Sequence, residues 1–423
     1  MLIGGLAGCS GSRNAPDFAH LYNREAQYHG VERNPVILIP GILGSALKDT
    51  PTGTTVWGAF SGGFADPTTA EGARLVALPM RENAPLTALR DSVRSDGALE
   101  KIEVSVLGLP LKLNAYVDIL RALGVGGYRD QSGALGKVNY GPDHFTCFQF
   151  DYDWRRDNVE NAQRLHAFIQ AKRAYVQEQY AERYGIEDHP VKFDIVAHSM
   201  GGLLTRYYLR YGTADLPQDS AAQRPITWAG TAYVESAILV GTPNAGASDA
   251  LEQLVHGKEI GPFVPDYPAA VIGTMPAAYQ LLPRSRHGAL VDAADTSAVD
   301  SLYAPAFWRR MEWGLADPEQ DEVLRRLLPE VSSRRERRVI ALEHQAKSLH
   351  RAKRFAAALD RPAARPDSLH LELIAGDSEE TVSRMMVDRS TGVLTILDRG
   401  PGDGTVLRSS ALMDERVGGT WTP

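Results

Sequence analysis

One stretch, Val191 to Leu209, constrains the fold more than any other part of the chain. Its first half is short, apolar and rich in strand formers, whereas its second half has apolar residues at helical spacing. Ser199 stands between the halves, with Ala197 before it and Gly201 after it. A strand, a sharp turn with a serine at its tip and a helix form a nucleophile elbow, here with alanine replacing the first glycine. The pattern predicts a strained backbone at Ser199 and a hydroxyl that projects from a sheet.

Strand and helix patterns alternate on both sides of this elbow. Val36 to Ile39 is a continuous apolar run, typical of a parallel strand buried on both faces. Asn158 to Tyr184 reads as a long amphipathic helix, and Tyr233 to Gly241 reads as another buried strand. The alternation predicts an α/β protein with a mostly parallel sheet and helices on both faces.

Other stretches of the sequence carry weaker patterns, which predict further strands, helices and irregular segments. Residues 48–110 are rich in Gly, Pro, Thr and Ala and are expected to be irregular, and Leu111 to Leu123 reads as a helix. His144 to Phe150 and His370 to Ala375 read as strands. A hairpin is expected from the apolar runs Val382 to Val387 and Thr391 to Asp398.

The loop Pro40 to Ser45 follows the first strand and carries two glycines. A loop in this position upstream of an elbow supplies half of the oxyanion hole in the α/β-hydrolase fold. We therefore expect the backbone N–H groups of Leu43 and Met200 to hold the negative oxygen that forms when Ser199 attacks an ester. Trp57, in the irregular region that follows, has two open roles: it lines the mouth of an acyl pocket, or it anchors the loop.

The segment 248–369 shows no clear strand but carries many apolar and aromatic residues. An insertion of this kind between late strands predicts a large helical cap or lid over the active site. The expected organisation is therefore an N-terminal segment at 1–33, an α/β-hydrolase core at 34–247 and 370–423, and the cap at 248–369.

An acidic residue for a catalytic triad is expected after the late strands. Asp403, flanked by Gly402 and Gly404, is the first candidate, and Asp377 is the second. The acid would orient an imidazole and stabilise its protonated form. His198, beside the serine, is expected to point away from Ser199 and to be structural.

The overall composition narrows the function classes. The 423 residues carry a net charge of −7, which argues against nucleic acid as a partner. Two cysteines give no disulfide framework, and no metal cluster or nucleotide loop is evident, so no cofactor is expected.

The N-terminus holds a separate signal. Leu6-Ala7-Gly8-Cys9 resembles a bacterial lipobox, although it lacks a basic region and a complete apolar run before it. Lipidation of Cys9 would associate the protein with a membrane of the bacterial cell envelope, facing the periplasm or the exterior. Either the start of the sequence is misplaced or truncated, or the match is chance.

Four stretches together match one family. Pro40-Gly-Ile-Leu-Gly-Ser45, Tyr152-Asp-Trp-Arg155, Ala197-His-Ser-Met-Gly-Gly202 and Gly402-Asp-Gly-Thr-Val406 occur in this order. The chain thereby resembles the lecithin:cholesterol acyltransferase family, which includes phospholipid:diacylglycerol acyltransferases and related phospholipases. The resemblance implies an α/β-hydrolase fold, Ser199 as the nucleophile, Asp403 as the acid, and an acyl ester of a lipid as substrate.

The chain departs from this family at one point, because no histidine follows Asp403. Without a general base, a serine hydroxyl is a poor nucleophile. Three explanations stay open: the sequence is a fragment that ends before its histidine, the protein binds lipid without turning it over, or a cap histidine such as His256 or His287 serves instead.

The expected function is serine-dependent acyl transfer on lipid esters, with either water or an alcohol as the acceptor. A non-catalytic lipid-binding or envelope-interaction protein on the same scaffold is one alternative. A general carboxylesterase acting on small soluble esters is another. The residue patterns do not define an oligomeric state.

Overall fold

A computed structural model describes residues 30–60, 63–99, 101–106, 109–114, 116–134, 144–217, 224–259 and 265–413. Within these residues the strands are β1 (Val36–Ile39), β2 (Ser45–Asp49), β3 (Thr55–Trp57), β4 (Ala59–Phe60), β5 (Val93–Ala98), β6 (Lys101–Val106), β7 (Leu109–Asn114), β8 (Cys147–Gln149), β9 (Phe193–His198), β10 (Val234–Val240), β11 (Leu290–Asp292), β12 (His370–Ile374), β13 (Glu379–Val387) and β14 (Leu394–Gly402). The helices are α1 (Ala70–Val76), α2 (Val117–Val125), α3 (Gln131–Ala134), α4 (Asn158–Tyr184), α5 (Met200–Tyr211), α6 (Ser248–His256), α7 (Ala269–Ile272), α8 (Pro276–Gln280), α9 (Pro305–Met311), α10 (Asp321–Leu327), α11 (Arg334–Asp360) and α12 (Arg408–Ala411).

The central sheet has the strand order β12-β10-β9-β1-β8, and all of its pairs are parallel. Its side chains alternate between two apolar layers. Ile37 and Ile195 join the layer that contains residues of α4 and α5. Val36 and Val196 join the opposite layer, against which α2 packs. The predicted α/β architecture, a parallel sheet with helices on both faces, is confirmed.

The elements nearest the elbow agree with the sequence patterns. β1 and α4 have the predicted bounds, and β9 leads directly to Ser199 and α5. The late hairpin is also confirmed, as β13 and β14 pair antiparallel. β8 is shorter than predicted, covering Cys147–Gln149 of the stretch that begins at His144.

Two expectations about the region before α4 are wrong. Residues 48–110 are not irregular, because they contribute strands to two small sheets with orders β3-β2-β5 and β4-β6-β7. The helix predicted for Leu111 to Leu123 begins as a strand: β7 ends at Asn114, and α2 begins only at Val117. Leucines at 109, 111 and 113 recur with the period of two that favours a strand, and pairing with β6 selects that state.

The segment after α6 is mostly helical, but the expectation that it holds no strand is wrong, because β11 pairs parallel with β13. Apolar side chains of this segment, including Tyr279, Trp308 and Phe355, belong to the same hydrophobic cluster as one face of the central sheet. Arg351 of α11 also reaches the sheet's flanking helix, with its Nε 2.9 Å from Oδ2 of Asp157, the N-cap residue of α4. The assignment of residues 248–369 to a separate cap stays a prediction.

Candidate active site

The elbow places Ser199 at a strained point of the backbone. Ser199 has φ 51° and ψ −125°, a conformation that L-residues rarely adopt and that costs about 1–3 kcal/mol. A Cβ on Gly201 would lie 2.4 Å from the Pro40 carbonyl oxygen, and one on Gly202 would lie 1.9 Å from Oγ1 of Thr242. The two glycines are therefore required by the close approach of the loops that follow β1 and β10.

The loop after β1 packs directly on the elbow. A Cβ on Gly41 would lie 2.7 Å from Cβ of Ser199. Leu43 has a left-handed backbone with φ 62°, and its carbonyl oxygen accepts a hydrogen bond of 2.7 Å from Nε1 of Trp57. Trp57 is buried, and its ring packs edge-on against Trp154. Trp57 thus anchors the loop that carries the predicted donor Leu43.

The Tyr-Asp-Trp-Arg motif, which follows β8, holds the same loop in place. The hydroxyl of Tyr152 donates to the Pro40 carbonyl at 2.9 Å, and Nε1 of Trp154 donates to the Ser45 carbonyl at 3.1 Å. Arg155 is fully buried and forms a two-pronged contact with Asp153, at 2.9 and 2.8 Å. The motif therefore fixes both ends of the loop through buried hydrogen bonds.

The two predicted oxyanion donors are available. Met200 is the first residue of α5, where a helix leaves its N–H groups without partners in the helix. Within the described part of the chain, neither its N–H nor that of Leu43 has an acceptor outside regular secondary structure. The positive end of α5 adds to the stabilisation that these groups would give a negative oxygen. Their role as an oxyanion hole stays a prediction.

Asp403 lies in a tight turn after β14. Its Oδ1 accepts hydrogen bonds from the N–H groups of Thr405 and Val406, at 3.0 and 2.7 Å. Its Oδ2 lies near the end of β10, 3.0 Å from where a Cβ on Gly241 would stand. Asp377, the second candidate acid, is 62% exposed in its side chain and pairs with Arg408 at 3.5 Å.

A cavity of about 450 Å³ brings most of the predicted residues together. Ser199, Leu43, Trp57 and Asp403 line it, while Asp377 does not. The side chain of Met200 is fully buried. Much of the wall is apolar: Ile42, Leu43, Trp57, Trp154, Ile272, Met275, Ala278 and Leu281. Cys9 lies outside the described residues, so its lipidation stays a prediction.

The cavity also shows which histidines are close to the serine. Neither His256 nor His287 lines it, so neither lies beside Ser199, where a histidine that serves as its base would have to be. His198 does line it, although the sequence patterns indicated only a structural residue. Burial lowers the pKa of His198, and the negative charge of Asp403 opposes that effect. The imidazole is therefore neutral near pH 7.

The described residues contain no group of three or more His, Cys, Asp or Glu side chains that could hold a metal ion. None of the described helices is both long enough and apolar enough to cross a membrane.

Comparison with known proteins agrees with the motifs. The family model described as lecithin:cholesterol acyltransferase matches residues 116–320, which include α2, the elbow and much of the predicted cap. No curated protein sequence matches the chain. A chain of the crystal structure of the Tle4–Tli4 complex is similar in fold, with a TM-score of 0.56 and 15% identity over 91% of this chain and 90% of that chain.

At that identity the structural likeness shows the fold alone, and the family match supports action on lipid acyl esters in general terms. The chain thus has an α/β-hydrolase fold, and its residues 116–320 match the model of the lecithin:cholesterol acyltransferase family.

Proposed function

We propose that the protein catalyses serine-dependent acyl transfer on lipid esters, as an O-acyltransferase or as a lipase- or phospholipase-type hydrolase. One observation carries the proposal: Ser199, in a strained elbow, lines a largely apolar cavity together with Asp403 and Leu43. A cavity of about 450 Å³ is within the usual range for small-molecule sites, and its apolar wall suits an acyl chain.

The chemistry follows from this arrangement. Oγ of Ser199 attacks the ester carbonyl, and the N–H groups of Leu43 and Met200 stabilise the oxyanion. The ester C–O bond then breaks, the serine proton goes to the leaving alcohol, and an acyl-enzyme remains. Water or a second alcohol next attacks the acyl carbon and returns a proton to Ser199. The choice between hydrolysis and transfer depends on how well the cavity excludes water.

A lipid-binding protein on the same scaffold is the second candidate. It is favoured by the position of His256 and His287 away from the cavity, because an unassisted serine hydroxyl reacts slowly. The same apolar wall would then hold a lipid without cleaving it.

Release of fatty acid separates the two candidates. The protein is incubated with three substrates in turn: a long-chain diacylglycerol and phosphatidylcholine, each in mixed detergent micelles, and p-nitrophenyl butyrate. Each is tested with and without an added long-chain alcohol. We expect fatty acid or a new ester from the lipids at a higher rate than from the butyrate, because the cavity wall is apolar. Binding of lipid without any product would instead support the second candidate, and a preference for butyrate would indicate a general carboxylesterase.

A further inference from the structure

Tyr116 connects two parts of the site that are far apart in the chain. It directly precedes α2, is 6% exposed, and packs its ring edge-on against the ring of His198 at 5.5 Å. Its hydroxyl oxygen accepts a hydrogen bond of 2.8 Å from the N–H of Gly41 and lies 2.9 Å from Nδ1 of His198. One hydroxyl therefore bridges the loop after β1 and the last residue before Ser199.

These two contacts determine where the imidazole carries its proton. Burial raises the pKa of Tyr116 to about 12, so the hydroxyl keeps its proton near neutral pH. Because Gly41 is a donor, the single hydroxyl proton is free to point at Nδ1 of His198. A neutral ring with Nδ1 as acceptor carries its own proton on Nε2.

The other ring nitrogen of His198, Nε2, lies in the same region as Asp403. A Cβ on Gly241 would lie 3.9 Å from His198 Nε2 and 3.0 Å from Asp403 Oδ2, so both atoms border the same glycine. In this tautomer the ring proton lies on the nitrogen that borders Gly241, and the negative charge of Asp403 acts on the imidazole. Tyr116 joins the loop after β1 to His198 of the elbow.

We propose that Tyr116 and His198 are positioning residues for acyl transfer at Ser199. The Tyr116 hydroxyl holds Gly41, and with it the oxyanion loop, against the elbow. The same hydroxyl keeps His198 in the tautomer that carries its proton on Nε2, the nitrogen nearer to Asp403. This assignment rests on the proposed function. It gives His198 a role in positioning the site, in addition to its packing.

Three substitutions test whether the contact between Tyr116 and His198 supports acyl transfer at Ser199. Tyr116→Phe removes only the hydroxyl, His198→Asn keeps an acceptor near the position of Nδ1, and His198→Gln moves the polar end toward Nε2. We expect Tyr116→Phe and His198→Gln to lower kcat about 10-fold with KM unchanged, since losing an oxyanion donor outright costs roughly 100- to 1000-fold. His198→Asn keeps the Tyr116 contact but loses the N–H at the Nε2 position, so its kcat should lie between that of the parent and that of His198→Gln.

Tyr211→Phe is the matched control, because the Tyr211 hydroxyl is also buried and donates to a single carbonyl, that of Ala358, at 2.9 Å. It should lower Tm as much as Tyr116→Phe while leaving kcat at the parent value. Equal kcat in Tyr116→Phe and Tyr211→Phe would overturn the proposal.

The protonation of the His198 ring can also be measured directly, without any catalytic activity. The ¹⁵N chemical shifts of the His198 ring in the intact protein report which nitrogen carries the proton. We expect Nδ1 as the acceptor in the parent and a shift toward the Nδ1–H form in Tyr116→Phe. Unchanged ring shifts in Tyr116→Phe would contradict the effect of the Tyr116 hydroxyl on the His198 tautomer, whether or not esters are cleaved. The expected shifts without any turnover would contradict only the proposed function.

Discussion

Replacing Ser199 with alanine is expected to lower the rate of ester cleavage by at least roughly 1000-fold, since the acyl-enzyme cannot form. The fold should persist, because the side chain of Ser199 forms no cap for α5 and alanine adopts the same backbone at similar cost. The measurement is the initial rate of fatty acid release, with Tm recorded for both proteins.

Ser199→Gly sharpens this prediction. Glycine adopts φ 51° without the strain that serine bears, so this variant should be inactive yet more stable by about 1 kcal/mol. A glycine variant more stable than both the parent and Ser199→Ala would show that the backbone conformation of the elbow costs stability. Full activity in either variant would refute the role of Ser199.

Replacing Arg155 with methionine is expected to reduce the free energy of unfolding by about 3–5 kcal/mol, the cost of leaving buried charge without its partner. Arg155 is fully buried and contacts the carboxylates of Asp153 and Asp91, at 2.8 and 2.6 Å. It also donates to the carbonyls at the end of α1, including that of Leu75 at 2.9 Å. All of these acceptors would lose a partner at once.

The matched control is Arg164→Met. Arg164 pairs with Glu160 at 2.8 Å, but its side chain is 39% exposed, so its loss should cost less than about 1 kcal/mol. Urea unfolding measures both variants. A loss below 1 kcal/mol for Arg155→Met would show that the buried pair contributes little. Because Trp154 braces the oxyanion loop, Arg155→Met should also lower activity in the fraction that remains folded.

The parts of the site that follow from local chemistry were predictable. The elbow at Ser199 is recognisable in the sequence because small residues stand at fixed positions around the serine, with a strand pattern before it and a helix pattern after it. The loop with Leu43 and the turn with Asp403 were predicted for a similar reason, since glycines mark places where the backbone turns sharply or approaches another segment closely. The structure brings these three segments to one cavity.

The parts that depend on distant partners were not predictable. β2 pairs with β5 through residues as far apart as Ser45 and Ala98, and the region between them reads as irregular because each strand is short. The contacts of Tyr116 with Gly41 and His198 span 75 and 82 positions. No local pattern marks such a contact. The helix predicted at Leu111 failed for a related reason, because strand pairing with β6 decided its first residues.

The most direct test of the central claim is covalent labelling of the folded protein with a fluorophosphonate probe, followed by intact mass measurement and peptide mapping. The account predicts a single adduct on Ser199, formed in the parent and absent from Ser199→Ala. A folded protein that binds lipid but gains no adduct, or gains it at another serine, would contradict the assignment of Ser199 as the nucleophile.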